Sequence, residues 1–212
     1  MKFFETSKYY TLKKSTYIFL RWIGVIGQLF SINFVYFYLD FKFNFIFSNI
    51  VVFIGILSNL YLIYIYKKIQ LSDRSALVFL IIDILQLAIL IYLTGGIKNP
   101  FIIFLLIPSV FASSNLGLRT NILLVLITLI TIVFLTFFSE PLPNPLNDHF
   151  HVSDYYYFSI PIALTVALIF FNYFAIIFGS ESRIRKEALN KMEEVMAKEH
   201  ELLSLGGQAA AA

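Results

Sequence analysis

Six long apolar stretches run through this chain, and they decide most of what it can become. They cover 17–39, 45–66, 76–94, 100–118, 121–138 and 157–179. A bilayer core is about 30 Å thick and a helix rises about 1.5 Å per residue, so one crossing takes about 20 apolar residues. The second, fifth and sixth stretches carry no charge; the fourth is the weakest, diluted by Pro108, Ser113, Ser114 and Asn115. In lipid every backbone polar group must find a partner within the protein, so the stretches read as helices. A barrel is excluded because the apolar runs are continuous rather than alternating. The first run is too long for the apolar region of a cleavable signal and lacks an A-x-A site. The expected fold class is an all-α integral membrane protein. A cytoplasmic N-terminus (1–16) leads into a six-transmembrane-helix bundle (17–179), and an amphipathic cytoplasmic helix (180–208) follows.

Composition supports this and narrows the function. Hydrophobic residues make up 59% of the 212 and charged residues 14%, against about 25% charged in a soluble domain. A soluble enzyme, a disordered tail and a nucleic-acid binder all fit poorly. With no cysteine, disulfides, thiol nucleophiles and cysteine-held metals are excluded. Of the 16 Lys and Arg, thirteen fall on one side when the N-terminus is placed inside, with Lys42 and Lys98 outside and Arg21 within the first span. The positive-inside rule then puts both termini in the cytoplasm. Connections are short, apart from the outer segment 139–156, which Pro141, Pro143 and Pro145 keep extended. Any ligand is therefore expected in the bilayer or at its edge.

Charged groups inside spans are costly and mark candidate sites. Arg21 and Asp83 lie at similar depths in the first and third spans, and Gln28 and Gln86 share a helix face with each of them. An intramembrane polar node of Arg21, Gln28, Asp83 and Gln86 follows, either a structural pair or part of a switch. Asn172, Thr128 and Thr131 read as interhelical hydrogen bonding.

The turn between the third and fourth spans, Tyr92–Leu93–Thr94–Gly95–Gly96–Ile97–Lys98–Asn99–Pro100–Phe101, is the most specific segment. Capping alone explains much of it. A glycine suits the left-handed end of a helix, Asn99 suits an N-cap and Pro100 the first helical position. The same groups also suit a quinone. Its two carbonyls need donors, which Asn99 and backbone N–H groups near the glycines would supply, while Phe101, Phe104 and Tyr92 would pack on the ring.

Gly95–Gly96–x–x–Asn99–Pro100–Phe101 resembles the GGxxNPF heptapeptide of the RegB/PrrB-type redox-sensing membrane histidine kinases. Arg21–Trp22 with Gly27–Gln28 is similar to the RW…GQ pattern of their first span. Asp83, Leu85–Gln86–Leu87 and Tyr92–Leu93–Thr94 are similar to their third. Residues 205–212, ending in four alanines, resemble the lead-in to their histidine box, which 209–212 would begin. The resemblance implies a six-span sensor domain in the bacterial inner membrane, with quinone bound at Gly95, Gly96, Asn99, Pro100 and Phe101. It implies ubiquinone rather than menaquinone, a homodimer and a cytoplasmic response regulator as partner. The phospho-accepting histidine, the redox-active cysteine, and the ATP and Mg of the kinase domain are expected beyond Ala212. The competing expectation is a small transporter or lipid-handling protein, against which stands the absence of an internal repeat.

Past Gly179 the chain turns charged and helix-prone. Leu189, Met192, Met196 and Leu203, flanked by Val195 and Leu202, allow about three heptads of a parallel dimer stem. His200 lacks the proline that follows the family's phospho-accepting histidine and reads as a surface residue. His149 and His151, with Asp148 and Asp154, read as a solvated loop.

Overall fold

The computed structural model describes residues 12–68, 70–144, 146 and 153–211, and only the backbone from 201 onward. Lys2, Lys8, Tyr9, Tyr10, Pro145, Asp148, His149 and His151 lie outside the described residues. The chain folds into helices α1 (Lys14–Phe37), α2 (Phe45–Tyr64), α3 (Asp73–Tyr92), α4 (Ile107–Asn115), α5 (Leu118–Phe137) and α6 (Asp154–Ala211). Five of these are long and apolar enough to cross a membrane. Short links alternate their direction and give the bundle two ends. At one end lies the glycine turn, with the backbone N–H of Glu140 donating to Tyr92 and a bridge between Lys42 and Asn144. At the other end a two-residue antiparallel ladder joins β1 (Leu12–Lys13) to β2 (Gln70–Leu71). The sequence gives no sign of this ladder.

Helix α3 is the hub. It packs on α2 and α5, while α1 packs on α2, and α4 on α5 and α6. Ser72 caps α3 by accepting from the backbone N–H of Ser75 at 3.3 Å, and Asp73 in the first turn suits the helix dipole. Leu80, Ile84, Ile91, Leu105, Leu124, Leu135 and Leu168 form the buried core. A smaller cluster of Val25, Ile32, Val51, Val52 and Leu90 joins α1, α2 and α3. Phe19, Phe30, Phe53, Phe134, Phe170 and Phe174 point outward, as lipid-facing side chains must.

The fourth stretch departs from the uniform helix expected. Residues Pro100–Leu106 form a 3-10 helix, and α4 adds only nine α-helical residues before the chain extends at Leu116. Pro108 is the cause. A proline in a helix interior lacks the N–H and collides with the carbonyl four residues back. The α-helix therefore starts at Ile107, so that Pro108 falls in its first turn. At the far end Ser114 and Asn115 bond back to the Phe111 carbonyl at 3.0 and 2.9 Å, competing with the backbone. The 3-10 rise of about 2.0 Å per residue compensates for the shortness. Together the two segments reach about 27 Å, close to the thickness of a bilayer core.

Helix α6 runs unbroken for 58 residues, about 87 Å at the helical rise. It crosses the apolar bundle and continues as a charged rod with Glu181–Arg185 and Glu194–Lys198 pairs one turn apart. Where it leaves the bundle, Gly179 lies against α4. A Cβ there would meet the Ser114 carbonyl oxygen at 2.7 Å and its Cα at 2.9 Å. Replacing Gly179 with valine should drive α6 off α4 and lower stability by about 1–3 kcal/mol, measured as denaturant-induced unfolding in lipid bicelles.

Candidate functional site

Three polar assemblies are built into the bundle. The first is the turn after α3. Gly95 and Gly96 have φ of +115° and +57°, a region that favours glycine. Their missing side chains are needed twice over. A Cβ on Gly95 would lie 2.5 Å from Leu142, and one on Gly96 would lie 2.3 Å from Ser139. The segment after α5 therefore covers the pair. Asn99 holds the turn from within. Its Oδ1 accepts from Phe101 N–H at 2.9 Å, and its Nδ2 donates to Thr94 Oγ1 at 2.6 Å and to the Thr94 carbonyl at 3.2 Å. The backbone N–H groups of Lys98, Asn99 and Ile102 bond to Gly95, Gly96 and Asn99 carbonyls. Both glycines, Ile97 and Asn99 are buried, while Lys98, Pro100 and Phe101 are exposed.

The Asn99 amide and the N–H groups of Lys98, Asn99, Phe101 and Ile102 are thus engaged inside the turn. What faces outward is a cation and an aromatic surface. Phe101 stacks on Phe104 at 5.9 Å, and both are nearly half exposed. Tyr92 instead stacks on Phe134 of α5. From Phe104 an apolar groove of about 510 Å³ runs between the 3-10 helix with α4 and the facing side of α6, lined by Ile107, Phe111, Phe171 and Ala175. Lys98 reaches across to α6, its Nζ 5.5 Å from the centre of the Tyr157 ring. The Tyr157 hydroxyl donates to the Thr136 carbonyl.

The second assembly is the Arg21–Asp83 node. Arg21 Nη2 and Nε lie 2.7 and 2.9 Å from Asp83 Oδ1, and Tyr17 donates to Oδ2 at 2.5 Å. Ser58 of α2 accepts from Arg21 Nη2 at 2.9 Å. The Tyr17 and Phe79 rings flank the guanidinium at 5.5 and 5.8 Å. Further along α3, Gln86 donates to Gln28 at 2.7 Å. The node ties three helices together and is separate from the turn, since Asp83 and Thr94 are about 16 Å apart along α3.

The third assembly binds α4 to α6. The Ser113 hydroxyl, with one proton to give, lies within hydrogen-bond reach of the Asn121 Oδ1 at 2.6 Å and of the Asn172 Oδ1, while Asn172 Nδ2 donates to Ser109 at 3.2 Å and to its own helix at Leu168. Below them Arg183 donates to the Ser114 carbonyl at 3.0 Å. Sequence reasoning treated Asn172 as one polar contact among several and missed Ser109, Ser113, Asn121, Gly179 and Arg183. A signal existed: Ser109 and Ser113 are four residues apart, on one helix face, in a stretch without charge.

A family model described as a PilS-like transmembrane domain matches residues 28–186, well over half of the chain. The chain belongs to the PilS-like transmembrane domain family. The match takes in the glycine turn, the groove and the α4–α6 contacts. Sensor histidine kinase RegB of Cereibacter sphaeroides is 28% identical over 120 residues, 57% of this chain and 26% of that protein. The chain therefore aligns with about a quarter of that relative. No solved structure matches. A PilS-like domain with this relative is a sensor-kinase-type membrane domain of multi-pass topology.

Among the described residues no group of three or more His, Cys, Asp or Glu side chains is placed to hold a metal. His200 is exposed on α6. For this PilS-like domain, removing one partner of the node should be costly because the Arg21 side chain is 5% exposed. Asp83→Ala is expected to lower stability by about 3–5 kcal/mol, and Arg21→Met with Asp83→Leu to restore most of it. Reversible unfolding in bicelles measures both.

Proposed function

We propose that this PilS-like domain is the sensory part of a two-component histidine kinase, reading redox state through a quinone at the Gly95–Phe101 turn. One observation carries the reading: exposed Phe101 stacks on Phe104, and Phe104 lines an apolar groove whose other wall is α6. A flat, lipid-soluble ring suits the stacked phenyl faces, and an isoprenoid tail suits the groove. Gly95, Gly96, Asn99 and Pro100 shape the turn, and Lys98, Pro100 and Phe101 meet the ligand. Ubiquinone is the favoured quinone on the likeness to RegB-type sensors.

Binding can shift the domain only if the quinone prefers one of two arrangements. The contacts between α4 and α6 give such a preference a route outward. A change at the 3-10 helix passes to α4, then through Ser113–Asn172 and Ser114–Arg183 to the rod. Leu189, Met192, Val195 and Met196 stand exposed on that rod, and a second copy would cover them in a parallel homodimer stem. Both termini then face the cytoplasm, where a kinase domain using ATP and Mg would phosphorylate a response regulator.

The test is decylubiquinone binding to the full chain in lipid nanodiscs. Phe101→Ala should weaken it by about two- to tenfold, the range of one lost aromatic contact, with thermal unfolding unchanged. Equal affinity in the variant would take the turn out of consideration.

A further inference from the structure

We propose that the Lys98 ammonium is the polar anchor for the quinone ring and is shared with Tyr157 of α6, so that ligand and output helix compete for one cation. The proposal rests on the quinone reading above. Within that reading a carbonyl acceptor needs a donor at the exposed face of the turn. The Asn99 amide is engaged with Thr94, and the N–H groups of Lys98, Asn99, Phe101 and Ile102 are bonded inside the turn. Pro100 has no N–H. Gly95, Gly96 and Ile97 are buried, the glycines beneath Ser139 and Leu142. Lys98 remains, exposed, with three N–H donors.

Among the described residues no carboxylate pairs with Lys98; its described partner is the face of Tyr157 at 5.5 Å. That contact is weak enough to exchange, since an exposed cation over a ring contributes a small fraction of a typical binding energy. Tyr157 is the fourth residue of α6, and its hydroxyl is fixed to α5 at the Thr136 carbonyl. The ring therefore stays in place when the ammonium leaves it. A quinone stacked on Phe101 that draws Lys98 toward its carbonyl uncouples the turn from the first turn of α6. Without ligand, Lys98 clasps the two together. The cation also favours a carbonyl or a reduced, anionic oxygen over an apolar ring lacking either.

The experiment measures decylubiquinone affinity for the full chain in nanodiscs of uncharged lipid, in four forms: unsubstituted, Lys98→Met, Tyr157→Leu and Tyr157→Phe. Lys98→Met should weaken binding by about tenfold or more, the effect of losing a charge-assisted hydrogen bond. Tyr157→Leu should strengthen it about two- to fivefold by freeing the ammonium. Tyr157→Phe keeps the ring and should bind as the unsubstituted chain does. Thermal unfolding of Lys98→Met should change little, because an exposed cation over a ring contributes only weakly to stability. If the unsubstituted chain binds and Lys98→Met binds equally well, the anchor is overturned while the quinone reading stands. If Lys98→Met binds weakly and Tyr157→Leu is unaltered, the competition is overturned. If the unsubstituted chain binds no quinone, the reading beneath the proposal falls and takes the proposal with it.

Discussion

A backbone in hydrocarbon has no water to bond with, and this requirement shapes the bundle more than any side-chain preference. Each unpaired amide there costs several kcal/mol. The consequences appear wherever a regular helix cannot continue. Pro108 forces a change of helix type, and the chain answers with a 3-10 segment that keeps its carbonyls bonded. At the glycine turn the Asn99 side chain takes over pairing that the backbone cannot complete. Thr128, Thr131 and Thr136 return their hydroxyls to carbonyls four residues earlier, where they do not compete for partners on other helices. The polar contacts between helices are then few, and each has a defined place.

Those contacts divide the bundle into two working halves. Helices α1, α2 and α3 are joined by charge and amide groups in the Arg21–Asp83 and Gln28–Gln86 layers. Helices α4, α5 and α6 are joined by hydroxyl and amide groups around Ser113. The turn sits where α3 hands over to the 3-10 helix, so it touches both halves at once. The first half is held by a buried charge pair that is expensive to break, and the second by small hydroxyl and amide groups with Arg183 on the Ser114 carbonyl below them.

Much of this was legible in the residue order, for identifiable reasons. The spans follow from hydropathy and length. The pairing of Arg21 with Asp83 follows from two lone charges at matching depth, which have few other options in lipid. The capping roles of Gly95, Asn99 and Pro100 follow from their backbone preferences, and the structure places them so. Sequence could not show that capping consumes the Asn99 amide, since donor allocation depends on where Thr94 ends up. Nor could it show the 3-10 segment, because Ile, Phe and Leu fit either helix type and only Pro108 in context excludes one. The pairing of β1 with β2 was hidden by its two-residue length. Gly179 read as the end of a span, whereas its role is contact with a backbone 65 residues earlier.

The stretched winding of Pro100–Leu106 carries a mechanical implication. Its seven residues stand about 3.5 Å taller than they would as an α-helix. Rewinding it as an α-helix would draw α4 toward the glycine end by roughly two thirds of an α-helical turn, and with it the Ser114 backbone that lies against Gly179 of α6. A bundle whose other crossings are full length thus contains one member with adjustable reach, and that member begins at Pro100, within the glycine turn itself.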